Sequence, residues 1–294
     1  MERDLWKLIV AALRRLPRRW RRNAVYCDAQ ILAVLFWAAL HDRPIVWACR
    51  RRNWPPQAWR RVLPDQSTLS RRLRDPSMKT CIMDVLRVLQ EQHGISGRLV
   101  VDAKALSVSE YSTDRDARTG WGAGCYMKGY KLHILIDEKW RVLAWRVRPM
   151  NEAESVVACD LVRDAASAQV LPTKVIMLGD AAYDSNPLYG IAWTHGVRLI
   201  APRRKPNRGV RAPRNHPQRL ESIALTEKGD PSVRATLGRM RATVERFFGA
   251  LASVGGGLAA LPPWARRQHR SELWSGAKLA INAARITQRR RLAA

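Results

Sequence analysis

Acidic residues are scarce in this chain: 25 Asp and Glu stand against 52 Lys and Arg in 294 residues, a formal net charge of +27. Cysteine is sparse as well. Cys27, Cys49, Cys81, Cys125 and Cys159 lie far apart and make no C-x-x-C pair, which argues against a disulfide framework. The six histidines show no H-x-x-x-H or H-E-x-x-H spacing, so a zinc site is not expected. The longest apolar run, ILAVLFWAAL at 31–40, has ten residues, half of the roughly 20 that a membrane span needs. No secretory leader is recognisable. The expectation is a reduced, cytoplasmic protein with no membrane partner.

What is abundant is arginine. Only ten of the 52 basic residues are lysine. Guanidinium forks fit phosphate oxygens bidentately, so nucleic acid is the leading partner class. The alternatives are a genome biased toward arginine codons, or a membrane-surface protein. At 47% hydrophobic the chain can bury a substantial core, and its length suits one large domain or two ordinary ones.

Residues 1–95 read as helical. Leu5, Leu8, Ile9 and Leu13 recur at helical spacing, DAQILAVLFWAAL opens on Asp28 as a candidate N-cap, and PPQAWRRVL starts another helix. In LPDQSTLSRRLRD, Asp65 can cap a short helix with Gln66, Ser67 and Thr68 in its first turn and Ser70, Arg71, Arg72 and Arg74 behind. That pattern suits a helix-turn-helix reader over 55–75, or merely a basic surface helix. Residues 96–201 change to strands: GRLVVDAK, then a pair joined by a polar turn at 137–139, then a helix from 151, the strand KVIMLGD, a helix, and VRLIAP. Asn151 and Glu154 form a capping-box pattern. A mixed sheet follows, antiparallel first and parallel afterwards. The stretch 202–230, rich in arginine and proline, reads as an extended basic loop that tracks DNA or is simply solvated. From 231 the chain is helical again. Val233, Leu237, Met240, Val244, Phe247, Phe248 and Leu251 make one apolar face, and a last helix buries Leu273, Ala277, Ile281 and Ala284.

Three carboxylates stand in unusual places. Asp102 ends LVVD, Asp180 ends VIMLGD, and Glu245 lies among arginines on an otherwise apolar helix face. Each has an ordinary explanation: Lys104 as partner of Asp102, Asp180 as a helix cap, Arg241 as partner of Glu245. Together they suggest more. If the strands ending in Asp102 and Asp180 are neighbours, two carboxylates repel unless a cation sits between them. Such hard oxygen ligands suit magnesium or manganese, and a two-metal centre catalyses phosphoryl transfer.

These residues carry a resemblance. VVDAK, GDAAYDSNPL and RATVERFFGAL resemble the three acidic blocks of the DDE transposases of bacterial insertion sequences, which have a ribonuclease H-like core. GDAAYDS and the R-x-x-x-E spacing from Arg241 to Glu245 are its most specific parts, and the likeness runs from about residue 25 to 286. It implies an α/β fold, a ribonuclease H-like mixed sheet flanked by helices with a helical N-terminal domain. The domains would be a DNA-binding one at 1–95 and a catalytic one at 96–294, with the basic insert 202–230. It implies Asp102, Asp180 and Glu245 as a triad holding two Mg2+ or Mn2+ ions, transposon ends and target DNA as partners, a dimer or larger assembly, and a cytoplasmic, nucleoid-associated place in a bacterium. Gly238 and Ala252 stand where the family often has the tyrosine and lysine that hold the transposon end. Arg239, Arg246 or the basic loop are the candidate substitutes.

The candidate DNA contacts are therefore Gln66, Ser67, Ser70 and Arg71 in the N-terminal part, Lys128 and Lys131 between strands, Arg203, Arg204 and Lys205 in the loop, and Arg239, Arg241 and Arg246 on the late helix. Asp184 is read as a helix cap or a support of the site, the segment with Glu110, Asp114 and Asp116 as a solvated loop or a cover over the site, and His133 as structural. Trp121, Trp145, Trp193, Trp264 and Trp274 are read as core, with Trp121 the one that could insert beside a base. The rival readings are a nuclease without strand transfer and a non-catalytic, decayed DNA-binding protein.

Overall fold

A computed structural model describes residues 2–17, 20, 22–56, 62–92, 94–206, 210, 214–252 and 257–293. They fall into two compact units, one of residues 1–92 with 250–294 and one of 93–249. Residues 250–294 group with the N-terminal helices, and the sheet unit ends at 249. The physical reason is the last helix, whose apolar stripe finds its complement among the N-terminal helices.

That first unit contains α1 (Glu2–Arg15), α2 (Asp28–Leu40), α3 (Ile45–Ala48), α4 (Gln66–Leu73), α5 (Ser77–Gln90) and α10 (Gln268–Ala293). Every residue of α2 from Ile31 to Leu40 is buried, which explains an apolar run with no polar face. α10 packs on α5, α2 and α1. Its Leu273, Ala277, Ile281 and Ala284 are buried as the spacing predicts. Lys278 is also fully buried there, bonded to Asp42 and to the Ala39 carbonyl at the end of α2. Trp6, Trp37 and Trp54 cluster, with Trp37 stacked on Trp54 at 4.7 Å.

Two details depart from the sequence reading. Asp28 does not cap α2; the N-cap is Cys27, and Asp28 is buried in an ion pair of 2.5 Å with Arg72. Arg72 also donates to the Tyr26 carbonyl, so this arginine of α4 points into the core and not toward a ligand. Asp65 caps α4 as predicted, its Oδ1 accepting from the Thr68 N–H at 2.8 Å. The partner helix of the expected helix-turn-helix falls partly on residues 57–61, outside the described residues.

The second unit is built on a mixed sheet of β1 (Arg98–Ser107), β2 (Arg118–Gly122), β3 (Cys125–Asp137), β4 (Val142–Pro149), β5 (Val175–Leu178) and β6 (Val197–Ile200). The order is β2-β3-β1-β5-β6, with β4 on β3. β1, β3 and β4 pair antiparallel, while β1–β5 and β5–β6 are parallel. The short β2 was not anticipated. Helices α6 (Glu154–Ser167) and α7 (Asn186–Thr194) supply Val162, Leu161, Leu188 and Tyr189 to one core with Leu99, Val101, Met177 and Leu199 of the strands.

The segment after β6 is more ordered than an extended loop. It includes α8 (Pro217–Ile223), a π-helical turn at Ala224–Lys228, and then α9 (Pro231–Ala252). Gln218 of α8 is buried, donating to the Val197 carbonyl and accepting from the Leu199 N–H, so a side chain satisfies the outer edge of β6. This blunts an edge strand that would otherwise offer unpaired backbone. On α9, Val244, Phe247 and Phe248 are buried, but Val233 is exposed, so the apolar face closes only in the second half of the helix.

Asp28→Ala should destabilise the helical unit by about 3–5 kcal/mol, because it leaves the Arg72 charge buried without its counter-ion. Chemical denaturation checks this. The double change with Arg72→Met should recover most of the loss; an Asp28→Ala loss below about 1 kcal/mol would show the pair to be inert.

Candidate active site

The register of β1 against β5 sets the site. Val100 lies opposite Leu178, so the two chains reach Asp102 and Asp180 side by side at the carboxyl end of β5. The crevice beyond the carboxyl ends of parallel strands is where open α/β sheets place ligands. Asp180 leaves β5 and caps a single turn, Ala181–Tyr183, through an Oδ1 that accepts from the Ala182 N–H at 2.8 Å. Asp102 accepts from its neighbour's N–H, that of Ala103, at 2.7 Å. Both ordinary and functional readings of Asp180 are thus compatible: one oxygen caps a turn, and the second is not needed for it.

The electrostatics single out Asp102. Burial pushes its carboxyl up to about 7, assisted by the charges of Asp180 and Glu154, while the Ala103 hydrogen bond and Arg241 act the other way. A carboxylate held this way stands ready for added positive charge. Lys104 is not that partner. Burial lowers its own pKa, and its ammonium lies 6.0 Å over the Phe248 ring. Tyr183 is fully buried, its hydroxyl makes no hydrogen bond, and its pKa is raised by burial and by the charges of Asp102, Glu154 and Asp180.

Glu245 is placed differently from the other two acids. It lies on α9, one turn beyond Arg241, exposed, and 3.9 Å from the Arg241 guanidinium. Arg241 is itself within electrostatic reach of Asp102. Among the described residues no three His, Cys, Asp or Glu side chains gather as a complete metal cage. Asp102 and Asp180 fit a hard divalent ion by donor chemistry and by the buried, undercompensated charge of Asp102; Glu245 is on the helix that faces them and not in contact.

Two further acids near this site serve distant partners. Asn151 does not open α6, whose N-cap is Ala153, so the Asn151–Glu154 capping box does not form; Glu154 is the first residue of the helix. It forms a 2.7 Å ion pair with Lys131 and lies close enough to Asp102 to act on it. Its position depends on α6 starting at the crevice, which no local motif records. Asp184 is not a cap either, Ser185 being at the start of α7. Its buried carboxylate takes a bidentate bond from Arg219 of α8 at 2.6 and 2.7 Å and accepts from the Arg204 N–H. Together with Asn186, which bonds the Arg214 carbonyl and the His216 N–H, it fastens the basic insert to the GDAAYDSN segment.

The candidate DNA contacts scatter over both units. Gln66, Ser67 and Arg71 are exposed on α4 and Ser70 is half-buried. Lys128 donates to the Ser112 carbonyl at 2.6 Å, Lys131 is held by Glu154, and Arg203 pairs with Glu227 at 2.6 Å. Arg204, Lys205, Arg239, Arg241 and Arg246 are exposed. Asp114 is not solvated: it is buried and accepts from the Tyr130 hydroxyl at 2.8 Å. His133 is buried, and burial with nearby Lys131 and Arg148 lowers it to about 3, so it stays neutral, in line with a structural role. Trp145 and Trp274 are core, whereas Trp121, Trp193 and Trp264 are exposed.

The family model described as a transposase DDE domain matches residues 94–282, well over half of the chain. Among curated proteins nothing matches it.

The raised Asp102 carboxyl has a pH signature. Between its ordinary 3.8 and about 7 the folded protein keeps a proton that the unfolded chain has released, so metal-free stability falls as pH rises through that window. Asp102→Asn should therefore raise the Tm of the chelator-treated protein at pH 8, by a free energy on the order of 2–4 kcal/mol, and change it little near pH 4. A difference between variant and parent that does not grow with pH would remove the assigned burial of this charge.

Proposed function

Since the chain belongs to the transposase DDE domain family, we propose that it cuts DNA at the ends of an insertion sequence and joins them to target DNA in a metal-dependent phosphoryl transfer. The observation that carries this reading is the side-by-side placement of Asp102 and Asp180 with a carboxyl that burial has driven to about 7. In this reading Asp102, Asp180 and Glu245 would hold Mg2+ or Mn2+, as two ions, with Glu245 brought in by α9. Bound ions supply a Lewis acid and lower the pKa of the attacking oxygen.

The chain's own residues do the rest. Asp180 is fixed in direction by its cap to Ala182, which holds one oxygen toward the turn. Asp102 is fixed by Ala103 and shielded by the sheet. Arg241, exposed beside them, offers a guanidinium to the strand's phosphate. Water attacks the phosphorus at the element's end, the bond to the 3′ oxygen breaks, and that oxygen leaves as a hydroxyl. The freed 3′ hydroxyl then attacks a target phosphodiester and displaces its 3′ oxygen. One phosphodiester replaces another, so no energy cofactor is required. Two ends must be held together, so the working form is a dimer or larger assembly on DNA. Exposed Gln66, Ser67 and Arg71, with Ser70, read the end, and Arg204, Lys205, Arg239 and Arg246 meet backbone phosphates.

Linear DNA carrying the gene's own flanking sequences, incubated with magnesium or manganese, should be cut at the ends and yield joined products. Asp180→Ala and Asp102→Ala should each lower cutting by more than about a hundredfold while DNA binding persists. Cutting without joining would reduce the reading to a nuclease; binding without cutting would leave a DNA-binding protein.

A further inference from the structure

The hairpin of β2 and β3 carries an exposed pair of aromatic rings outside the acidic site. Trp121 and Tyr126 face each other across the ladder, edge to face with ring centroids 5.4 Å apart, and are 58% and 73% exposed. Their connection is a two-residue turn, Ala123 and Gly124, both at positive φ (50° and 83°), which matches the twist of the flanking strands. The back of this ribbon is pressed down. A Cβ on Gly120 would lie 2.6 Å from the Met150 carbonyl oxygen, and one on Gly122 would lie 2.9 Å from the Ala105 Cβ and from the Met150 Sδ. These two glycines let the ribbon rest directly on buried Met150, and so fix the direction of the rings on its front.

Charge and area decide what fits these rings. From Ala117 to Ile136 the chain has no acidic residue. Exposed Arg118 starts the ribbon, and Lys128 lies two residues from Tyr126 on the same strand face. One Trp and one Tyr cover about 150–250 Å2 each, short of the ~800 Å2 per partner that a stable protein interface needs. Two strands are the width that a groove of duplex DNA admits, and large apolar side chains at such a tip wedge between base pairs and kink the duplex. The strand also sets the reach. Asp102 lies opposite Ile134 on β3, and Tyr126 stands eight residues earlier on that strand, about 26 Å away at ~3.3 Å per residue. The ribbon runs past Ser107 at the carboxyl end of β1, which is the crevice side because β1 and β5 are parallel. At ~3.4 Å per step this reach corresponds to roughly seven to eight base pairs.

We propose that the β2–β3 ribbon is a DNA-bending arm, which enters a groove of the duplex and wedges Trp121, backed by Tyr126, between two base pairs roughly seven to eight steps from the bond that is cut. Arg118 and Lys128 meet the phosphates beside the wedge; the Lys128 ammonium spends one N–H on the Ser112 carbonyl and keeps the others for a phosphate oxygen. The spacing from the cut rests on the phosphoryl-transfer reading of Asp102 and Asp180, whereas the wedge itself needs only a bound duplex.

The test uses the full chain in chelator, bound to duplexes that carry the gene's own flanking sequences with 2-aminopurine at successive positions on either side of the element's end. Unstacking raises the fluorescence of this base, so the signal should peak roughly seven to eight base pairs from the end. Energy transfer between dyes on the two duplex ends should report a bend at the same place. Trp121→Ala should abolish the peak and the bend and weaken duplex binding about tenfold; Tyr126→Ala should do so in part, and Trp121→Phe should restore most of the signal. Trp121 is exposed, so the fold should survive these changes, and the phenylalanine variant separates a lost wedge from a disturbed ribbon. A peak within about four base pairs of the end, no peak at any position, or a peak that persists in Trp121→Ala overturns the arm. So does a Trp121→Ala variant that bends DNA normally but sediments as a smaller assembly, since the rings then meet a second copy of the chain. The two readings fail separately. A Trp121-dependent peak in a protein that never cuts with metal defeats the catalytic reading, and cutting without such a peak defeats the arm alone.

Discussion

The parallel pairing of β1 with β5 is the constraint on which the candidate site depends. It brings one carboxylate from within a strand and another from just past a strand's end into the same crevice. Two like charges in a partly buried place are unfavourable, and burial alone already drives Asp102 toward its neutral form. The surrounding sheet holds this unfavourable arrangement in place, with Leu99, Val101, Leu135 and Met177 buried in its core. Strain of this kind persists only where the rest of the fold over-determines it, and a divalent cation is the chemical species that would relieve it.

The large positive charge is not one uniform coat. Some basic side chains are spent on the fold: Arg72 on Asp28, Lys278 on Asp42, Arg219 on Asp184, Arg146 on Asp160 and Asp164. Others, Arg204, Lys205, Arg239, Arg241 and Arg246 among them, stand exposed around or after the crevice. Arginine does both tasks because its fork satisfies a buried carboxylate and a phosphate by the same bidentate geometry. The few acids are accordingly informative. Two of those near the site serve to place a basic element: Glu154 holds Lys131, and Asp184 anchors the insert after β6.

Much of this was legible along the chain. The apolar runs that lead to Asp102, inside β1, and to Asp180, just past β5, mark these strands in the sequence, and Asp65 ahead of Ser67 and Thr68 marks the cap of α4. Other signals misled for a common reason. Asp28 and Asp184 precede helices and look like caps, yet each serves an arginine from a distant segment, 44 and 35 residues away. Glu154 follows Asn151 at capping-box spacing and pairs instead across to β3. Local hydrogen bonds compete with long-range ion pairs, and only the folded chain shows which partner is within reach. The proline-rich insert hid α8, because its helix is stabilised by Gln218 and Ser222 bonding the edge of β6 and not by any pattern of its own.

By itself the sequence determined the chemistry available: an arginine-rich surface, three acids in blocks that resemble a transposase core, and the order of strands and helices. These are properties of composition and of short-range periodicity, which a linear chain carries in full. Tertiary structure alone decided that Asp102 and Asp180 adjoin, that Glu154 joins their field, that Glu245 remains exposed on α9 beside Arg241, and that residues 250–294 pack with the N-terminal helices. Those outcomes depend on strand register and on which apolar stripe finds its complement, and both are set by contacts between residues far apart in the chain.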